Sequence, residues 1–130
     1  MAPFPFRETR IDSNLPVWLS LKTIHSQKIL PGRIEATLIN VSKGGACVFT
    51  PSLQIEGKHL FFSTLNSNHH LVLENHDQTD NINDFHILAR SIWMDSCQQQ
   101  GRQYFKVGVC FATPQKKLFD LVKKYHRSVQ

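Results

Sequence analysis

The chain is poor in the residues that announce most chemistries. Its 130 residues hold three cysteines, Cys47, Cys97 and Cys110, odd in number, far apart and without a CxxC spacing, so neither a disulfide framework nor a zinc site is indicated. No stretch reaches the roughly eighteen consecutive apolar residues of a membrane span, so no membrane insertion is expected. The opening Met1-Ala2-Pro3-Phe4-Pro5-Phe6-Arg7 is too short in apolar character and too rich in proline for a signal peptide. These absences fit a reducing, cytoplasmic setting. The six glycines form no P-loop, Gly44-Gly45 lacks the spacing of a dinucleotide fingerprint, and G-x-S-x-G and H-E-x-x-H are missing too. Neither an enzyme nor a cofactor is expected. His69-His70 with His76 does not make a metal site, because neighbours on a strand point to opposite faces and no second ligand pair stands at a zinc spacing.

What remains is enough for one ordinary domain: 41% of the residues are hydrophobic, which permits a real core at this length. Fifteen Lys and Arg against ten Asp and Glu leave a formal charge of +5. That balance favours an anionic partner without choosing among nucleotide, nucleic acid and acidic protein.

Pro3 and Pro5 keep the first residues out of helix, and residues 1–14 read as a flexible N-terminal arm before a domain over 15–130. From Leu15, alternation with Val17, Leu19 and Leu21 on one face marks a half-buried strand. After Pro31-Gly32, Ile34, Ala36, Leu38 and Asn40 share one face of the next strand. Ala46 to Thr50, Lys58 to Leu65 and His69 to Leu73 read as further strands, the last two joined by Asn66-Ser67-Asn68. Residues 74–84 are polar and aperiodic, a surface loop. Phe85 to Asp95 and Arg102 to Ala112 form a long hairpin across Ser96 to Gly101. A single helix follows, with Thr113 as N-cap and Pro114 at its first position, running to about Arg127 with Leu118, Val122 and Tyr125 on its apolar side. The expected fold is an all-β barrel of six or seven antiparallel strands with a C-terminal α-helix.

The segment with the most chemical content is Ile39-Asn40-Val41-Ser42-Lys43-Gly44-Gly45-Ala46, which puts an amide, a hydroxyl and two glycines into one turn between apolar stretches. Glycine tolerates positive φ and adds no side chain, so such a turn lets a ligand approach its backbone. The pattern Asn40-x-Ser42-x-x-Gly45, preceded by an arm bearing Arg7 and Arg10, resembles the PilZ domain, whose members commonly bind the bacterial second messenger cyclic di-GMP. The resemblance extends over nearly the whole chain. It also covers Ala89-Arg90-Ser91-Ile92-Trp93 and Val107-Gly108-Val109-Cys110-Phe111, which look like that family's last two barrel strands. The arginine half is atypical: the family's arm usually carries arginines four apart, and here they are three apart.

The resemblance implies that Arg7 and Arg10 contact the ligand from the arm. Asn40 and Ser42 would contact it from the barrel, with Gly45 letting the turn lie close and Trp93 bordering a guanine. Arginine suits both halves of that ligand, since its planar fork bonds bidentately to phosphate and to the O6/N7 edge of guanine. The expected function is a receptor that signals to an unidentified effector protein by ligand-induced ordering of its arm. An adaptor of the same fold that has lost the nucleotide and works by protein contact is the alternative. A barrel for single-stranded nucleic acid is a third class, and a less favoured one.

Overall fold

A computed structural model of the chain describes residues 10–65, 69–76 and 85–128, with side chains as far as residue 124. Six antiparallel strands pair in a ring. Strand β1 (Ile11–Thr23) pairs with β2 (Ile34–Val41), and β2 with β3 (Gly45–Thr50). A small hairpin of β4 (Gln54–Ile55) and β5 (Lys58–His59) and a short helix α1 (Leu60–Leu65) interrupt the ring, which resumes with β6 (His69–Asn75), β7 (His86–Gln99) and β8 (Arg102–Phe111). β3 pairs with β8, β8 with β7, β7 with β6, and β6 closes on β1. The terminal helix α2 spans Lys116–Ser128. The barrel with its C-terminal helix is the expected fold class. Among the described residues no helix is long and apolar enough to cross a membrane.

Alternation builds the interior. Leu15, Val17, Leu19 and Leu21 of β1, Leu38 of β2, Val48 of β3, Leu71 and Leu73 of β6 and Val107 of β8 are all fully buried. Leu118 and Val122 of α2 join the same cluster, as the helical stripe requires; the Tyr125 side chain lies outside the described residues. Each fully buried aliphatic side chain of this kind contributes about 1.5–3 kcal/mol.

Several boundaries differ from the sequence reading; β6 runs on to Asn75, where a loop was expected from residue 74, because Glu74 and Asn75 pair with Trp18 and Val17. β1 begins at Ile11, so residues 11–14 belong to the barrel and not to an arm. Their polar sequence has little strand preference of its own, and pairing of Ile11 with Val41 and Asp12 with Asn40 imposes it. The stretch expected as one strand over Lys58 to Leu65 is strand only to His59 and then turns into α1. Leu60, Phe61 and Thr64 are buried at helical spacing, and His59 Nδ1 accepts the Phe62 N–H at 3.2 Å in the manner of an N-cap. Six residues are too few to hold a helix by propensity. Tertiary bonds hold it instead: the Thr64 and Ser91 hydroxyls meet at 2.6 Å, both buried.

The β7–β8 hairpin is longer and tighter than expected, with only Gln100 and Gly101 in its turn, both at positive φ (53° and 79°). Two such residues give the twist that a two-residue hairpin loop requires; a glutamine in the first place hides it from composition. Finally, α2 starts at Lys116 instead of Pro114. The Gln115 carbonyl accepts the Phe119 N–H, while the Gln115 N–H goes to Lys43 O at 2.7 Å, so a tertiary bond to the glycine turn takes the place of a Thr113 cap.

Candidate functional site

The turn between β2 and β3 is closed by one residue at each end. The Ser42 N–H donates to Gly45 O at 2.8 Å, and the Ser42 hydroxyl donates to the same carbonyl at 3.2 Å. Ser42 is only 3% exposed. Neither Gly44 nor Gly45 takes positive φ, so of the two reasons expected for the glycines only the lack of a side chain holds at this turn. Gly45 is there for close approach: a Cβ on it would lie 2.3 Å from Val109 O of the neighbouring strand. The turn's outer carbonyls are also taken, Gly44 O by the Phe111 N–H and Lys43 O by the Gln115 N–H.

Asn40 precedes this turn, and a bulge decides where it points. β2 and β3 lose register between Leu38 and Asn40, with Leu38 opposite Val48 but Asn40 opposite Cys47. An extra residue on one strand shifts the phase of everything after it. Val41 is therefore buried in the core, and Asn40 does not continue the Leu38 face that period two predicts. Its half-buried side chain forms no hydrogen bond with another described residue, so it is not spent on capping its own backbone. β1 delivers Arg10 to the same place: Asp12 pairs with Asn40 and Ile11 with Val41, which carries the exposed Arg10 toward Ser42.

A second bulge, between Ser91 and Trp93, sets Trp93 opposite Gly108. The indole lies across that glycine so closely that a Cβ there would sit 2.0 Å from its Nε1. Arg10, Asn40, Ser42, Gly45 and Trp93 thus line one cleft on the outer face of β2, β3, β8 and β7. All five of these sequence-predicted residues come together; the sixth, Arg7, lies outside the described residues.

Cys47 and Gly108 also line this cleft, together with Ala46, Ile92 and Val109, and none of them was named as a ligand contact from sequence. Gly108 carried a readable signal, since an isolated glycine inside a strand marks close approach by a neighbour. Cys47 carried none. Burial pushes the Cys47 thiol pKa up, and the positive charges of Lys106 and Arg10 pull it partly back. The floor of the cleft is thus a neutral thiol in a positive field, an environment that suits an anion better than a cation. The described residues hold no group of three or more His, Cys, Asp or Glu placed to bind a metal.

A scan against protein-family models gives no match, and a search of the curated proteins gives none either. Solved structures do match. The PilZ domain of YcgR from Escherichia coli, determined with c-di-GMP, is 13% identical and aligns with a TM-score of 0.60 over 95% of this chain and 92% of that one. PlzA of Borreliella burgdorferi in complex with c-di-GMP aligns at 15% identity and a TM-score of 0.54, over 91% of this chain and 52% of that one. MrkH of K. pneumonia in its apo state aligns at 13% and 0.55, over 92% and 50%. This chain therefore spans about half the length of the latter two, and it has the fold of a PilZ domain.

Proposed function

We propose that the protein is a cyclic di-GMP receptor of the PilZ type. One observation carries the reading: residues far apart in sequence and picked out for a nucleotide, Arg10, Asn40, Ser42, Gly45 and Trp93, line a single cleft. Their chemistry is complementary to that ligand. A guanidinium bonds bidentately to phosphate or to a guanine edge, an unspent amide offers a donor and an acceptor, and a half-buried indole offers a face to a base. Arg10 stands where the segment 1–9 meets the barrel. A ligand bridging that segment to the cleft would order it, and the ordering would be the signal to an effector protein, since a ligand shifts an equilibrium only by its differential affinity for the two states.

Calorimetric titration with cyclic di-GMP tests the receptor reading. Saturable binding, with GTP much weaker, is the expected result; equal affinity for GTP overturns it. Arg10→Ala should weaken binding by about one to two decades, the worth of a hydrogen bond to a charged group. Arg10→Lys should not restore it, because lysine has no fork. Hydrogen exchange of residues 1–9 then tests the signal, with protection rising on saturation as the expected outcome.

One observation favours the alternative of an adaptor that works by protein contact alone. The Ser42 hydroxyl is buried and already donates to Gly45 O, as a purely structural serine would. A flat titration with cyclic di-GMP would overturn the receptor reading and leave this one standing.

A further inference from the structure

The sheet register places a cation at the rim of the cleft that no sequence motif marks. On β8, Val107 and Val109 are buried in the core, so by alternation Lys106 and Gly108 both face outward. Gly108 is opposite Cys47 and Trp93, at the centre of the cleft; Lys106, two residues back, is opposite Phe49 and Asp95. That step along a strand is about 7 Å, a span that the flexible four-carbon stem of a lysine covers. Lys106 is exposed. Although Asp95 is its cross-strand neighbour, the two form no ion pair, and no other described residue pairs with it. Arg10 approaches the same floor from β1, on the opposite side.

We propose that Lys106 contacts an anionic group of the ligand seated in this cleft and acts there as a further cation, on the side of the cleft away from Arg10. The inference rests on the receptor reading and goes beyond it by naming how a ligand with two phosphates is held. One guanidinium can serve one phosphate bidentately. A second phosphate several ångströms away needs a second charge, and a lysine on a long stem supplies it as a mobile point charge with three donors. Both cations already act on the Cys47 thiol between them, which places that thiol within the field of each. The uncompensated Asp95 carboxylate beside Lys106 weakens the site and so tunes it.

Titration of the full chain with cyclic di-GMP, in low and in high salt, tests this. Lys106→Ala should bind about tenfold more weakly in low salt, and the gap should narrow as salt screens the contact. Lys106→Arg should keep the affinity, and Asp95→Asn should tighten it. Arg102→Ala removes the same charge from the same strand at the hairpin tip, opposite Gln99; it should leave affinity within about twofold if the effect of Lys106 is a contact and not the general field of the protein. If the wild-type protein binds but Lys106→Ala binds equally well, or if Arg102→Ala weakens binding as much, the proposal fails while the receptor reading stands. If the wild-type protein does not bind, the receptor reading fails and takes this proposal with it. Thermal unfolding of each variant checks that these exposed substitutions leave the fold intact.

Discussion

On the inner face of β3, β8 and β7, the residues Ala46, Val48, Val107, Val109, Ile87 and Ala89 follow plain alternation and every one is buried, with Ala46 and Val109 also bordering the cleft. The outer face of these strands, and of β2 beside them, is built from departures. Trp93 reaches Gly108 across a bulge, Asn40 is turned by another, and Gly45 and Gly108 stand where no side chain fits. The inner face is generic, since any apolar residue of the right volume would serve it. The outer face is particular, since each residue is fixed by the shape of its neighbour. The barrel is therefore held mainly by one side of the sheet and the cleft is made mainly by the other, with Ala46 and Val109 shared, so stability and ligand affinity should respond largely to different substitutions.

The sharpest way to break that contrast is to damage the inner side alone. Leu73→Ala on β6, fully buried, should lower stability by about 2–5 kcal/mol while the folded fraction titrates with cyclic di-GMP as the wild type does under the proposed function; denaturant unfolding and calorimetry read the two separately. Gly45→Ala comes next and lies on the boundary. Its Cβ would meet the Val109 carbonyl, a backbone atom that cannot swing away, so β3 and β8 must part at a cost of roughly 1–3 kcal/mol, with the cleft distorted as well. Gly108→Ala should cost less stability, because the atoms it meets belong to the Trp93 side chain. The indole would be displaced, and the expected readouts are weaker ligand binding and a changed Trp93 emission, measured against Trp93→Phe as background.

The smallest effect is a matter of pH. Burial raises the folded-state pKa of Cys47 above its unfolded value, so the native state keeps a proton that the unfolded state releases in alkali. Its contribution is complete below the ordinary cysteine range and declines as pH rises past it, because the native state then holds more protons than the unfolded one. Cys47→Ala should remove that part of the alkaline decline in stability and leave the slope near neutrality unchanged.

Much of this fold was legible from alternation. The apolar residues of β1, β3 and β6, the existence of a β7–β8 hairpin and the stripe of α2 all follow from period two or period 3.6. The five cleft residues were legible only through resemblance to a known pattern, because bulges decide their directions and a bulge has no signature in the spacing of apolar residues. Asn40 shows this: period two assigns it to the Leu38 face, and one inserted residue takes it off that face. The helix α1 was illegible for a different reason. Leu60, Phe61 and Thr64 read equally well as strand, and what decides is a hydroxyl pair with Ser91, 27 residues downstream. Lys106 was hidden because only the register of three strands shows which charge stands beside the cleft.

The bonds from Phe111 N to Gly44 O and from Gln115 N to Lys43 O have a mechanical meaning. A loop whose outward carbonyls are both engaged by the chain that leads into the last helix is fastened like a hinge plate with two screws. It can tilt only if that chain tilts with it. The turn beside Asn40 and Ser42 is thereby tied to a point some seventy residues further along the sequence, at the root of a helix whose Lys116, Lys117, Lys123 and Lys124 are exposed.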